Sequence, residues 1–501
     1  MRRAAFVVAM MVATLMVSAS PGWSAPGPSR AQQAEQVDFN GDGFADLAVG
    51  APGEAVGSLT GAGALNVLLG SADGLQPSPV VFFQGGGVGG TAERDDAFGA
   101  AVAKGDFNDD GFFDAAVGVP GEAVGSIASA GAVNLLYGST GGLTGGPLFT
   151  QANPESADSF GASLAAGDFD GDGFFDLAVG APGEDIGSLG DAGAITVLFG
   201  SVGGITTAGS QVLYQGNGGI TGAAEAGDGF GHALASGLLA NDDLADLVVG
   251  VPGEDVSGGI VDAGAVNVLA GSAGGLVNGS LRAQDNWEQG DQFGAAVATG
   301  DFEESAGDDV AVGAPGETVG GHVGAGAVSV FNGPPTGLVF ERLLFQGTAG
   351  IPGAPETGDA FGAAVAPTDS NGIGQWDLAV GVPSESVGPD VQTGVVNLLA
   401  GSTTGPSGGT LVLQTNPEDF DFFGLAIAGG FFLHDFDNNG FFDLAVGAPL
   451  ESAGSTQAVG AVSVFYASGG GLLTPGPAFL QGSGGLGGTA EAFDFFGAAL
   501  E

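Results

Sequence analysis

The chain has 501 residues and carries 57 acidic and 7 basic side chains, for a formal net charge of −50 at neutral pH. Binding to nucleic acid or to an anionic membrane surface requires clustered Lys and Arg, so this charge balance excludes both classes of partner. Cysteine is absent from the sequence, which excludes disulfide bonds, cysteine-ligated zinc and thiol nucleophiles.

The N-terminal segment has the pattern of a secretory signal peptide. Two arginines precede an apolar run over residues 4–17, and small residues follow it. This pattern predicts a signal peptide over residues 1–25, with cleavage after Ala19 or Ala25. The apolar run is too short to span a bilayer comfortably and no later run is longer, so we expect no membrane span in the mature chain. Residues 26–37 read as a polar linker, and we expect the protein to be secreted or held at the cell surface.

One sequence pattern then recurs along the rest of the chain. It reads DFNGDGFADLAVGAPGE from Asp38, and close copies begin at Asp106, Asp168 and Asp435. Weaker copies begin at positions 238, 301 and 369, which gives seven copies at intervals of 62 to 70 residues. Regular spacing on this scale indicates an array of supersecondary units.

Each repeat predicts four short strands that are rich in Val, Leu, Ala and Phe and bounded by Gly, Asp, Asn and Pro. In the second repeat these strands are predicted over 98–105, 114–119, 131–137 and 148–151. Seven such units in an all-β chain predict a seven-bladed β-propeller over residues 38–501, built from four-stranded antiparallel blades.

The two ends of the repeat array complement each other. The first repeat begins without the FGAAVAxG strand that precedes the other copies, and the sequence finishes with FDFFGAALE, which supplies such a strand. We therefore expect strand 496–500 to pair into the first blade and close the ring. The alternative is that the sequence is part of a longer array.

Between the first and second predicted strands lies an acidic loop with the pattern D-x-[DN]-x-[DN]-G-x-x-D. Calcium prefers six to eight oxygen ligands, which this loop supplies from side chains at positions 1, 3, 5 and 9 and from the carbonyl at position 7. Asp and Asn also favour turns, but several carboxylates within nine residues repel one another without a cation. We predict about four Ca²⁺ ions, rather than Mg²⁺, in four complete loops. The predicted ligands are Asp38, Asn40, Asp42, Phe44 and Asp46; Asp106, Asn108, Asp110, Phe112 and Asp114; Asp168, Asp170, Asp172, Phe174 and Asp176; and Asp435, Asp437, Asn439, Phe441 and Asp443.

The other three loops depart from the pattern. The fourth keeps Asp242 and Asp246, and the sixth has Ile373 at position 5. The total rises from four ions to five if one of these three loops is also occupied. The fifth loop retains oxygen ligands in a shifted frame. Its acidic residues are Asp301, Glu303 and Asp309.

A second set of acidic residues recurs in all seven repeats. One element is E-x-x-D-x-F-G, with pairs such as Glu93 and Asp96, and the other is a Glu after each Gly-x-Pro triplet, such as Glu54. In an antiparallel four-stranded blade these segments lie on the face opposite the acidic loops. These carboxylates either cap turns by accepting backbone N–H groups or form a face that captures cationic groups or further cations.

Seven Phe-Gly pairs, the first at Phe98 and Gly99, alternate with seven Gly-Ala-Pro or Gly-Val-Pro triplets, the first at Gly50. This alternation over residues 38–501 resembles the FG-GAP repeat family, whose best-known members are the N-terminal propellers of integrin α-chains. Related propellers accompany the catalytic domain of glycosylphosphatidylinositol-specific phospholipase D. The resemblance implies a propeller fold and Ca²⁺ in the matching loops, whereas a propeller scaffold hosts many functions.

The residues offer little support for catalysis. His232, His322 and His434 lie in different repeats without metal-ligand spacing, and a nucleophile-elbow string around Ser407 is not followed by a predicted helix. We expect a noncatalytic, monomeric adhesion or ligand-binding module whose ligand is an unidentified extracellular protein or glycan. The alternatives are an extracellular hydrolase or hydrolase accessory domain that uses the carboxylate-rich face, and a structural component of a surface layer.

Overall fold

The computed structural model describes residues 36–501, except 241, 257–258, 304–306, 336, 430–433 and 472. The predicted signal peptide and most of the predicted linker lie outside the described residues. Within the described part of the chain, 28 strands form seven four-stranded antiparallel sheets. The predicted all-β, seven-bladed propeller is confirmed. None of the described residues forms a helix with the length and apolarity needed to cross a bilayer.

Each blade contributes one strand to each of four concentric positions. The innermost strands of blades two to seven are β4 (Val102–Gly105), β8 (Ser163–Gly167), β12 (Leu234–Gly237), β16 (Ala296–Gly300), β20 (Ala364–Thr368) and β24 (Ala426–Ile427). The second strands are β1 (Leu47–Ala51), β5 (Asp114–Val119), β9 (Asp176–Ala181), β13 (Asp246–Val251), β17 (Asp309–Ala314), β21 (Asp377–Val382) and β25 (Leu444–Ala448). The third strands are β2 (Ala64–Leu69), β6 (Ala132–Tyr137), β10 (Ala194–Phe199), β14 (Ala265–Ala270), β18 (Ala327–Asn332), β22 (Val395–Ala400) and β26 (Ala461–Tyr466). The outer strands are β3 (Gln76–Phe82), β7 (Thr144–Phe149), β11 (Thr206–Leu213), β15 (Val277–Arg282), β19 (Val339–Leu344), β23 (Ser407–Val412) and β27 (Thr474–Phe479).

Strand boundaries in the second blade differ from prediction at its inner and outer edges. The second strand matches the predicted 114–119, but the inner strand begins at Val102 because Gly99 turns the chain with a φ of 90°. The predicted outer strand over 148–151 was wrong, since the strand covers Thr144–Phe149. It includes two glycines and a proline, which an outer strand tolerates because one of its edges makes no ladder bonds.

The hydrophobic core is divided among the seven contacts between neighbouring blades. The second strands are buried along their whole length, as their continuous apolar runs require when both faces of a sheet are covered. Between blades one and two, for example, Leu65 and Val67 pack with Val117. Seven clusters of this kind surround the ring, including one between blades seven and one.

The Phe-Gly pairs and Gly-x-Pro triplets meet at these contacts. The Phe of every pair is fully buried. The Gly of the pair lies against the first Gly of the triplet in the preceding blade, and a Cβ added at Gly118 would lie 2.0 Å from the carbonyl oxygen of Gly161. Glycine is required at this contact because two backbones approach more closely than any side chain permits.

The predicted pairing of a closing strand with the first blade is confirmed, although the strand is shorter than the predicted 496–500. β28 (Ala499–Leu500) pairs antiparallel with β1, which places Leu500 opposite Val49 and Ala499 opposite Gly50. Leu500 also packs in the cluster between blades seven and one. The innermost strand of the first blade thus comes from the other end of the repeat array.

Candidate cation sites and the two loop faces

Loops that join first to second strands, and third to fourth strands, lie on one side of the ring, which we call the loop face. In the complete acidic loops of this face, the chain wraps around the first carboxylate. Asp38 accepts N–H groups from Gly41 at 2.6 Å and Gly43 at 2.7 Å. Asp168 accepts the corresponding bonds from Gly171 at 2.7 Å and Gly173 at 3.0 Å. The glycines allow the tight turn that brings their N–H groups to this carboxylate.

The ninth residue of the loop is a buried anchor. Asp176 Oδ2 accepts the N–H of Phe169 at 2.9 Å, and its Oδ1 accepts the N–H of Gly200, in the loop after the third strand, at 2.7 Å. The same pair of bonds is made by Asp246 and Asp377 in blades whose loops depart from the full pattern. The ninth Asp therefore has a structural role in addition to the cation binding that the sequence pattern predicts for it.

Two of the four complete loops bring three carboxylates into a single cluster. One oxygen each from Asp168, Asp170 and Asp176 lies within 4.8 Å of the others, and Asp435, Asp437 and Asp443 form an equivalent group. In the second loop Asn108 Oδ1 is buried and accepts no hydrogen bond from the described residues. An oxygen-only donor set and an unused acceptor fit a hard cation. The complete list of predicted calcium ligands in the four loops stays a prediction.

The loops with incomplete patterns use hydrogen bonds at the corresponding positions. In the sixth loop Asn371 Nδ2 donates to Asp377 Oδ1 at 2.6 Å, while Ile373 is exposed. In the fifth loop Glu303 Oε1 accepts a bond from Asn332 Nδ2 at 2.6 Å. In both loops an amide N–H group therefore stabilises the carboxylate in part, as a cation would.

The ninth-position carboxyls imply a pH dependence of stability in calcium-free protein. Burial raises the pKa of Asp46 to about 7 and the pKa of Asp176 and Asp443 to about 8. The folded chain then holds protons that the unfolded chain releases near its ordinary pKa of 3.8, so the free energy of unfolding falls as pH rises from about 4 to about 8. Melting curves in a chelator across this range should show the decline, and a melting temperature that rises with pH would contradict it.

The other side of the ring, which we call the junction face, carries the loops between second and third strands and between blades. The prediction that its aspartates cap turns by accepting backbone N–H groups is confirmed. In each repeat the Asp accepts the N–H of the Glu three residues earlier, as Asp228 does from Glu225 at 2.6 Å. This bond fixes the turn that leads into the Phe-Gly pair.

A glutamine that the sequence analysis did not identify lies at every junction, and in five of the seven it donates a hydrogen bond to the Glu that follows the Gly-x-Pro triplet. Gln215 Nε2 donates to Glu254 at 2.6 Å, and Gln346 Nε2 donates to Glu385 at 2.9 Å, each across a contact between blades. A Gln just after the outer strand occurs in every repeat, but the Phe of the next Phe-Gly pair lies between 9 and 15 positions after it. That variable spacing hid the pattern. The seven residues are Gln84, Gln151, Gln215, Gln284, Gln346, Gln414 and Gln481.

A buried polar group breaks the sevenfold repetition in the central channel. Lys104 Nζ donates to the carbonyl oxygen of Gly429 at 3.0 Å, lies 3.2 Å from His434 Nε2 and pairs with Glu501 Oε2 at 2.7 Å. It borders a cavity of about 110 Å³ between the innermost strands. Burial lowers the pKa of Lys104, and the Glu501 carboxylate opposes that shift. An ammonium has three N–H donors, and three acceptors surround it here. Lys104 therefore links neighbouring blades through one ion pair and two hydrogen bonds.

Two exposed phenylalanines break the repetition on the junction face. Phe420 is 52% exposed and Phe493 is 56% exposed, and their backbones have φ values of 67° and 70°. The equivalent position in three other repeats is glycine, at Gly227, Gly290 and Gly358. A bulky residue at positive φ is strained, and such strain clusters at functional sites.

Comparison with known proteins identifies the repeats. The FG-GAP repeat profile matches residues 35–68, 98–136, 160–198 and 432–465. Over 147 residues the chain is 36% identical to the phosphatidylinositol-glycan-specific phospholipase D of Mus musculus. The aligned region covers 29% of this chain and 17% of that protein. Over 209 residues the chain is 32% identical to integrin alpha-5 of Xenopus laevis. This aligned region covers 41% of this chain and 18% of that protein.

Among solved structures, the periplasmic gluconolactonase of Pseudomonas aeruginosa aligns with a TM-score of 0.49 and 12% identity, over 87% of this chain and 96% of that one. The chain spans less than a fifth of the length of the curated relatives described above. The protein contains FG-GAP repeats and is similar, over part of its length, to integrin alpha chains and to phosphatidylinositol-glycan-specific phospholipase D.

Proposed function

We propose that this protein is a calcium-binding propeller that acts as a noncatalytic adhesion or ligand-binding module at the cell surface or in the extracellular space. Its similarity to integrin alpha chains supports this role. The acidic clusters of the loop face support calcium as the cation, because carboxylate and carbonyl oxygens are the ligands it prefers. The ligand is an extracellular protein or glycan, and the propeller binds it as a monomer.

Calcium has a structural role in this proposal. When bound, it supplies a positive charge that offsets the repulsion within each acidic loop. The chain's own residues fix the loop conformation. The first Asp accepts hydrogen bonds from the loop N–H groups, and the ninth Asp connects the loop to the turn after the third strand. Ion binding to the folded chain then adds directly to its stability.

The observation that carries the binding role is the exposed, strained pair Phe420 and Phe493. Aromatic side chains supply large contact areas at interfaces, and a binding surface tolerates backbone strain that folding alone would not favour. Both residues lie in loops of the junction face, where their neighbours Asp419 and Glu491 are acidic. An aromatic surface with acidic edges suits a ligand that offers an apolar or cationic contact.

The test replaces Phe420 and Phe493 with glycine, the residue found at the same position in three other repeats. We expect the double variant to melt at the same temperature or higher, because the backbone strain is relieved, and to bind ligand at least tenfold more weakly. Binding should be measured on immobilised panels of glycans and extracellular-matrix proteins, with and without a calcium chelator. The matched control is Ala157→Gly, which alters the equivalent position of another blade and should leave binding unchanged.

Three results would contradict the proposal. Binding that is insensitive to chelation would separate ligand recognition from calcium. Unchanged binding by the glycine double variant would remove the Phe surface from the ligand site. Turnover of glycosidic or phosphodiester substrates by the purified protein would favour the hydrolase alternative, for which the paired carboxylates of the junction face are the candidate groups.

A further inference from the structure

The junction between blades four and five holds a buried cluster of oxygen atoms. Its members are Gln284, Asp291 and Glu317, whose exposed fractions are 3%, 1% and 2%. Gln284 follows the outer strand of blade four, Asp291 precedes the Phe-Gly pair, and Glu317 follows the triplet of blade five. The cluster lies on the junction face, so it is separate from the acidic loops of the loop face.

Two oxygens in this cluster have no hydrogen-bond partner among the described residues. Gln284 Nε2 donates to Glu317 Oε2 at 2.8 Å, which fixes the orientation of the amide and leaves Gln284 Oε1 without a donor. Asp291 Oδ2 accepts the N–H of Glu288, whereas Asp291 Oδ1 is also without a donor. A buried acceptor that stays unsatisfied is costly, so these atoms indicate a missing electropositive partner.

The charges of the cluster point the same way. Burial, and then the charge of Asp291, raises the pKa of Glu317 to about 7. Glu317 lies within hydrogen-bond reach of Asp291, so the two carboxyls share a proton below about pH 7. At higher pH both are ionised, and Gln284, the third member of the cluster, brings no positive charge. A bound divalent cation would match both carboxylates and give the two unpartnered oxygens an electropositive neighbour.

The same arrangement recurs around the ring. The Oε1 atom of each junction glutamine is buried without a hydrogen-bond partner among the described residues, in all seven junctions. At the junction of blades seven and one, Glu54 Oε2 is also unpartnered, and at the junction of blades one and two Glu122 Oε2 is. Repetition across sequences that differ in the surrounding residues argues against a local packing accident.

We propose that each blade junction binds one divalent hard cation of the calcium type, held by the glutamine carbonyl oxygen and by the glutamate and aspartate carboxylates. The propeller then carries a second tier of cation sites on the junction face, independent of the four acidic loops and of the proposed ligand-binding role. The ligand is a metal ion and not a basic side chain, because Glu317 and Asp291 are too deeply buried for a side chain from a partner to reach. Water molecules complete the coordination.

Trp287 gives this junction a site-specific probe, because it immediately precedes Glu288 in the loop that holds Asp291. Terbium binds at calcium sites and emits when a nearby tryptophan is excited. In the full chain with Trp23→Phe and Trp376→Phe, Trp287 is the remaining tryptophan, and we expect terbium emission that calcium displaces. Asp291→Asn with Glu317→Gln should reduce the emission at least tenfold. The matched control Asp285→Asn changes an exposed carboxylate of the same segment and should retain it.

A second variant separates binding from folding. Gln284→Glu adds a carboxylate to the cluster, so we expect terbium to bind more tightly, whereas a purely structural glutamine would give weaker binding or none. Equilibrium dialysis against calcium should show that Asp291→Asn with Glu317→Gln loses one ion per chain. Asp168→Asn, in an acidic loop, should leave the Trp287 signal intact. Absence of tryptophan-excited emission, or equal calcium stoichiometry in parent and double variant, would overturn the proposal and favour a shared proton or a water molecule.

Discussion

Removal of calcium is expected to lower the melting temperature by roughly 10 °C or more. At a calcium concentration of one hundred times Kd, one ion contributes about 2.7 kcal/mol, so four loop sites together contribute on the order of 10 kcal/mol. A chain of this size shifts by roughly 1–2 °C per kcal/mol, since the shift falls as domains grow. The measurement is calorimetric titration of chelated protein, with a melting curve at each calcium concentration.

Loop variants give this prediction its control. Asp168→Asn and Asp435→Asn each remove one carboxylate from a clustered loop, and each should remove one ion from the measured total. Asp73→Asn changes an exposed Asp elsewhere on the loop face and should leave both stoichiometry and melting unchanged. If chelation leaves the melting temperature unchanged, the acidic loops are turn formers and the calcium assignment fails.

The second large effect is expected for Gly118→Ala. The added Cβ would lie 2.0 Å from the carbonyl oxygen of Gly161, so the two blades must separate or the backbone must shift. Overpacking of a well-packed core costs typically 1–3 kcal/mol, and a clash between backbones leaves no flexible side chain to move, so we expect a loss of about 3 kcal/mol. Urea denaturation in saturating calcium measures the change in the free energy of unfolding.

Gly141→Ala is the matched control for the packing effect. It also adds one methyl group in blade two, but its nearest neighbour is Ser139 Oγ at 3.7 Å and its loop is exposed. A stability change within about 0.5 kcal/mol is expected there, as at most surface positions. Equal losses for the two variants would show that the close approach of Gly118 and Gly161 does not limit stability.

The fold was predictable because the sequence motifs that specify it repeat at regular intervals. Seven Phe-Gly pairs and seven Gly-x-Pro triplets mark each contact between blades, and the ring needs glycine wherever two backbones touch. The outer strand of blade two was less predictable, because Gly145, Gly146 and Pro147 carry the signals of a loop. An outer strand depends on one neighbour for its ladder, so its composition is weakly constrained.

The candidate sites were predictable in part, and for a similar reason. The acidic loops lie within nine consecutive residues, so local spacing reveals them. The junction clusters unite three segments from two blades, as Gln284, Asp291 and Glu317 do, and no fixed spacing connects those segments. The strained surface around Phe420 also stayed hidden, because positive φ at a non-glycine residue is a property of the backbone that composition does not reveal.

The pairing of Leu500 with Val49 has a consequence for how the protein is made. Strand β1 emerges early from the ribosome, but the residues that complete its blade are synthesised about 450 positions later. Until then the inner edge of β1 offers unpaired backbone groups to any strand that can reach it, including one from another nascent chain. Joining ends so distant in sequence also makes the last folding step slow. Cells that produce this protein therefore need a means of keeping the incomplete blade from pairing with the wrong partner.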